Sequence, residues 1–286
     1  METQVVKMTP TEIKQLKSRY QTCEFRYDIA HTHYQIRGSD FVITAYKSGK
    51  VVFQAEDLSL HLPNIKQKKE TTYSLPMSGS DEVGTGDYFG PITVCAAIVE
   101  EKDLKNIPVN RIIDSKEIND EVIREIAPTL IKHLKHSLLI LRNQKYNEIH
   151  QKHNINAIKA KLHNQAFLHL ETKYGTPKVN ILDQFTPEKT YFNYLKDEKE
   201  VFKNLIFETK AENKYIAVAC GAIIARYAFL LEFDRLSDEY NFKFPKGAGK
   251  KVDKKAREFV EIHGPDSLYK VAKYHFKNTE RILNNF

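Results

Sequence analysis

Gly79-Ser80-Asp81-Glu82-Val83-Gly84-Thr85-Gly86-Asp87-Tyr88-Phe89-Gly90-Pro91 decides how this chain reads. Two adjacent acids run into a loop with three glycines, and an apolar segment, Ile92 to Val99, follows. Successive side chains on a strand face opposite ways. Asp81 and Glu82 can therefore serve one site only if the strand ends there and the backbone turns. Glycine supplies such a turn, because it reaches positive φ cheaply and lets a second backbone approach. A carboxylate pair at a strand end beside a glycine loop suits a magnesium site next to a phosphate. An acidic dipeptide by itself is ordinarily just solvated, so support has to come from the rest of the chain.

Two nucleotide-binding alternatives fail on spacing. The glycine loop is one residue too long after Gly86 for the dinucleotide fingerprint, and a strand-like segment follows where a helix is needed. Pro245-Lys246-Gly247-Ala248-Gly249-Lys250-Lys251 lacks both the spacing and the Ser or Thr of a Walker loop.

Asp81 to Pro91 resembles the signature of bacterial ribonuclease HIII, one of the type 2 ribonucleases H. The resemblance continues at Asp114-Ser115-Lys116, at Asn154-Ile155-Asn156 and at Lys159-Ala160-Lys161-Leu162-His163-Asn164. It then takes in Asp183, Lys210-Ala211-Glu212, Ile223-Ile224-Ala225-Arg226 and Pro245 to Gly249, nearly the whole chain from Ser78 onward. It implies an α/β (α+β overall) protein. A ribonuclease H-like catalytic domain, a mixed sheet with helices, would follow a small α+β domain similar to the TATA-box-binding protein.

Composition sets the bounds. The 286 residues exceed one ordinary domain, and 41% hydrophobic residues suffice for a real core. Forty-four Lys and Arg against 37 acids give a charge of +7. With an acidic candidate site, that positive charge must lie elsewhere, where it can meet phosphates. Cys23, Cys95 and Cys220 stand far apart without metal-binding spacing and read as reduced thiols of a cytoplasmic protein. The apolar run Ala217 to Phe233 contains Arg226 and reads as a buried helix, so no membrane partner is expected.

Along the chain, residues 1–62 form the first unit. Thr9-Pro10-Thr11-Glu12 opens a helix, and strands are expected at Tyr34–Arg37, Phe41–Tyr46 and Val51–Gln54. His31-Thr32-His33 reads as surface imidazoles, since no third ligand is nearby. Residues 63–76 read as a linker, and 77–286 as the catalytic unit. Within it, Ser78–Val83 and Gly90–Val99 read as antiparallel strands, with further strands at Ser137–Leu141, Lys178–Leu182 and Val201–Phe207. Asn119 caps a helix that Pro128 should bend or divide, and Asn156–Tyr174 reads as an amphipathic helix ending at Gly175. Tyr215–Leu236 is a helix with small residues for close sheet contact. The tail carries a lysine-rich stretch whose glycines leave backbone amides free, then a helix ending near Thr279.

Four acids qualify by position: Asp81 and Glu82 at one strand end, Asp183 at another, and Glu212 just before a helix. The resemblance assigns the same four as catalytic metal ligands, with glutamate in fourth place as the ribonuclease HIII pattern. Close carboxylates repel unless cations sit between them. Two Mg2+ ions ~4 Å apart, or Mn2+ in their place, would satisfy that and support in-line attack on a phosphodiester. Gly84-Thr85-Gly86 resembles the loop that touches ribose 2′-hydroxyls, and Thr85 stands where ribonuclease HII relatives carry arginine. Ala222 stands where many relatives have serine. Lys47 and Lys50 at the hairpin, Lys116, Asn164, Lys246 and Lys250 complete the expected substrate contacts. The implied activity is endoribonucleolytic: two-metal hydrolysis of the RNA strand of an RNA/DNA hybrid, leaving 5′-phosphate and 3′-hydroxyl ends, by a monomer. A junction ribonuclease of the HII type, or a non-catalytic hybrid-binding protein, are the alternatives. Thr85, Glu212 and the N-terminal unit oppose the first, and the full set of acids opposes the second.

Overall fold

The computed structural model describes residues 2–58, 61, 75–113 and 119–284. The chain divides into two compact units, Met1–Glu70 and Thr71–Phe286.

Among its described residues, the first unit is a five-stranded antiparallel sheet with one α-helix. Strands β1 (Glu2–Lys7), β2 (Glu24–Arg26), β3 (Thr32–Arg37), β4 (Phe41–Tyr46) and β5 (Lys50–Ala55) pair in the order β1-β5-β4-β3-β2. Helix α1 (Pro10–Arg19) starts on a capping box between Thr9 and Glu12, with Pro10 at its first turn. Its Ile13 and Leu16 join Ile36, Ile43 and Phe53 from one sheet face in the core. β1 and β2 are additional to the three expected strands. β1 is exposed along nearly all its length, so its sequence carries no inside–outside alternation to read.

The second unit begins with β6 (Met77–Val83) and β7 (Ile92–Val99), antiparallel as expected. Next come α2 (Val109–Ile113), α3 (Asp120–His133), β8 (Lys135–Leu141), α4 (Asn143–His150), α5 (Ile155–Tyr174) and β9 (Val179–Asp183). Then follow α6 (Glu188–Tyr194), β10 (Ile206–Glu208), α7 (Ile216–Tyr240), α8 (Lys250–His263), α9 (Leu268–Val271) and α10 (Lys277–Leu283). The sheet runs β10-β9-β6-β7-β8, with β9 parallel to both β6 and β10 and the β6-β7-β8 part antiparallel. Both faces are covered. Cys95, Ala97 and Val99 of β7 pack with α7 and α3, while Val94, Ala96 and Ile98 pack with α5.

α7 is long and apolar enough to cross a membrane, yet 78% of its apolar window is buried, as befits a core helix. It lies close on β6 because Gly79 has no side chain: a Cβ there would sit 2.4 Å from the Val218 nitrogen.

One expectation is narrowed and two are corrected here. α3 runs through Pro128 undivided. The strand expected over Val201–Phe207 shrinks to β10, because Phe202 is drawn into the core beside α5 instead of pairing. The lysine-rich stretch is helical from Lys250, and the last helix begins at Lys277, where the expected one was to finish.

Candidate active site

β6 continues through Glu82 to Val83, so its two acids keep opposite faces. Asp81 pairs with Cys95 on the α7 side, and Glu82 with Val94 on the α5 side. The turn that would unite them comes only after Val83, at Gly84 with φ +96°. A Cβ at Gly84 would lie 2.2 Å from the Pro91 carbonyl oxygen.

On the α7 side Asp81 meets two other acids. Asp183 ends the parallel strand β9, and Glu212 lies in a short 3-10 turn, Ala211–Asn213. Each of the three offers a carboxylate oxygen, all within 4.8 Å of one another. Lys210 takes the left-handed conformation, φ 53°, and so brings the Ala211 N–H to donate to Asp183 Oδ1 at 2.9 Å. Glu212 Oε1 accepts from Asn213 Nδ2 at 2.5 Å, while its buried Oε2 has no hydrogen-bond partner. Burial, with the charges of Glu82 and Asp183 beside it, holds the Asp81 carboxyl well above the usual carboxylate range. A hydrogen bond from its neighbour's N–H, 2.6 Å to Oδ1, acts in the other direction. Crowded carboxylates with one oxygen orphaned fit a hard divalent cation, which takes oxygen ligands and cancels the repulsion.

Glu82 is tied elsewhere. Lys159 Nζ stands 2.5 Å from Oε1 and His163 Nε2 2.8 Å from Oε2, both from α5. A carboxylate only accepts, so Nε2 carries the hydrogen, and Nδ1 meets the Ser80 hydroxyl at 2.7 Å. Burial raises the Glu82 pKa, but His163 and Lys159 outweigh it and the net displacement is downward. The structure thus joins three of the four expected acids and leaves the fourth ion-paired on the other sheet face.

The glycine loop is fixed at its base and open at its apex. Gly90 donates to the Val271 carbonyl at 3.0 Å, and Tyr88 donates to the Gly247 carbonyl at 2.9 Å. Gly247 N–H donates to Asp87 Oδ1 at 2.6 Å, so this amide of the lysine–glycine run is not free as expected. Thr85 is half-buried and Gly86 exposed, with open space around it. Beside Glu212 a cavity of about 540 Å³ is walled by Val83, Ile123, Ala222 and Arg226.

The other expected contacts scatter. Lys47 and Lys50 are exposed at the β4–β5 turn of the first unit, and Lys250 is exposed at the start of α8. Lys246 is ion-paired with Asp120, which also takes Arg226 at 2.9 Å. Asn164 is a correction: it is 3% exposed and spends its amide on the chain, donating to Glu200 O and accepting from Phe202 N. Lys116, with Asp114 and Ser115, lies outside the described residues, as do residues 63–74 of the expected linker.

Sequence reasoning missed Lys159 and His163 as partners of Glu82. An amphipathic α5 would turn such residues to water, yet both are among its buried ones. Polar residues four apart on an otherwise buried stretch are the signal that could have found them.

A mixed sheet covered by helices on both faces, with acids gathered at its strand ends, defines a hydrolase of the ribonuclease H-like class. Comparison with known proteins agrees. A family model described as Ribonuclease HII matches residues 78–279, and one described as a domain of unknown function (DUF3378) matches 3–71. Ribonuclease HIII of Bacillus pumilus is 40% identical, the match covering 97% of each chain. That of Streptococcus agalactiae is also 40% identical, over 94% of this chain and 95% of the relative. The crystal structure of Bst-RNase HIII in complex with Mn2+ superposes with a TM-score of 0.72 at 34% identity, covering 99% of each chain. The chain belongs to the ribonuclease HIII family.

Proposed function

We propose that this ribonuclease H cuts the RNA strand of RNA/DNA hybrids internally, leaving 5′-phosphate and 3′-hydroxyl ends. The observation that carries the reading is the meeting of Asp81, Asp183 and Glu212 from three separate elements, within 4.8 Å. These three would hold a divalent ion, Mg2+ or Mn2+; Glu82, ion-paired on the other sheet face, is the fourth acid that the family resemblance assigns as a ligand. When bound, such an ion supplies positive charge against the scissile phosphate and acidifies the attacking water. The chain does the rest. Ala211 N–H orients Asp183, Asn213 orients Glu212, and Lys159 with His163 hold Glu82 extended along the far face.

The fixed loop offers Gly84-Thr85-Gly86 to the RNA strand, where small residues let backbone reach 2′-hydroxyls. Thr85 supplies no guanidinium to clamp an RNA–DNA junction. The exposed Lys47 and Lys50 of the first unit would grip phosphates of the hybrid. The reading extends to a cytoplasmic monomer, with the three free cysteines in its favour.

The test compares a long hybrid with a duplex carrying one ribonucleotide, at equal salt, with and without Mg2+ or Mn2+. The hybrid should be cut only with the ion, and the single-ribonucleotide duplex poorly. Comparable rates on the two substrates would instead favour a junction ribonuclease.

A further inference from the structure

Lys273 follows α9 and is 0% exposed, an unusual place for a lysine. Its ammonium donates to two main-chain carbonyls of the glycine loop, Asp87 O at 2.8 Å and Gly90 O at 2.6 Å. Its own N–H donates to a carbonyl between them in sequence, Tyr88 O, at 2.8 Å. Among the described residues no carboxylate ion-pairs with it. Burying an ammonium on carbonyl dipoles alone is costly, and a methionine of similar length would fill the space without that cost. What methionine could not do is draw the carbonyls of residues 87 and 90 to one point.

That geometry fixes the curvature of the loop. Converging carbonyl oxygens repel and splay unless a shared donor holds them. A second donor, buried Asn143 Nδ2, reaches Gly90 O at 2.9 Å. Gly90 itself has no room for a side chain, since a Cβ would sit 2.2 Å from the Phe233 ring. Every one of these restraints acts on the loop's descending limb, and none acts on Gly86 at its apex. The apex is therefore set by the limb below it.

We infer that Lys273 is a positioning residue for RNA recognition: it holds the descending limb so that Gly84-Thr85-Gly86 presents its backbone to ribose 2′-hydroxyls. This rests on the proposed hybrid-cutting activity and on that loop as its reader. Lys273 touches none of the clustered acids, so its loss should leave ion binding alone.

The experiment pairs Lys273→Met with a hybrid whose RNA strand carries 2′-deoxy-2′-fluoro groups around the cut site. kcat/KM is measured for wild type and variant on both substrates, with Mn2+ affinity by calorimetry as the check on the acids. The variant should lose tenfold or more on the natural hybrid and less than threefold on the fluoro hybrid, at unchanged Mn2+ affinity. Equal losses on both substrates would show a merely structural role and overturn the inference. If Lys273→Met does not fold, Asn143→Ala removes the other donor to Gly90 O. It should show the same unequal loss, severalfold smaller, and equal losses there overturn the inference as well. A wild-type chain that cuts no hybrid overturns the ribonuclease reading together with this one. A wild-type chain that cuts both substrates alike overturns this one alone.

Discussion

Asp81 is held where its charge is least favourable, partly buried with two further carboxylates inside 4.8 Å. Asp81→Asn should abolish cleavage while hybrid binding persists, because affinity comes mainly from phosphate contacts elsewhere. It should also raise the melting temperature of the ion-free protein by ~2–4 °C, about 1 kcal/mol, by relieving repulsion. Calorimetry with and without Mg2+ checks both the gain and the lost response to the ion. Lys273 makes the opposite kind of prediction. Burial pushes its ammonium down from 10.5 to about 7, against the pull of the Asp87 carboxylate. Burial, then the charges of His150 and Lys273, push His275 down to about 4, and His150 stacks on that ring at 3.9 Å. From pH 7 toward 10 the unfolded chain carries a proton on this lysine that the folded chain has released, so stability rises with pH there. Cys95 and Cys220, whose thiols burial pushes up from 9.0, oppose that trend as pH nears 9, and Tyr88 and Tyr146, raised likewise, above about pH 10. Urea midpoints should therefore climb between about pH 7 and 8 in the wild type and stay flatter in Lys273→Met.

The contact of α7 with β6 places the acids, and it depends on two glycines. A Cβ on Gly79 would meet the Val218 nitrogen at 2.4 Å, and one on Gly221 the Cys95 carbonyl at 2.8 Å. Either alanine substitution has to push helix from sheet, at a cost of ~1–3 kcal/mol, seen as a lower urea midpoint at unchanged slope. These elements are legible in the sequence. Small residues mark the close face of α7, the apolar run marks β7, and Asp183 stands at a strand end. What escapes is of two kinds. β1 has no buried face to create a pattern, and α8 is obscured by its lysines and the glycines before it. The partners of Glu82 and of the loop carbonyls come from distant segments, 81 residues away for His163 and 183 for Lys273. Local periodicity carries no trace of such pairings. The resemblance supplies Glu82 as a fellow ligand, but only the strand geometry shows that it faces away from the other three.

At the scale of the molecule, two units with separate cores share one chain, and the exposed lysines of the first belong to a domain without the clustered acids. Deleting residues 1–63 should weaken hybrid binding while Mn2+ binding persists. Every phosphate that the deletion leaves ungripped should reduce the log–log salt slope by about 0.9, the B-DNA value. Salt-dependent binding curves of both forms test this, and an unchanged slope would remove the first unit from the grip on substrate. The order of synthesis adds a consequence. The glycine loop leaves the ribosome long before Gly247, Val271 and Lys273, the residues that lock it. A nascent chain stalled between Glu212 and Lys273 would carry all four acids and yet lack the lysine that locks the loop. The loop's restraints are thus complete only once the C-terminal segment has emerged.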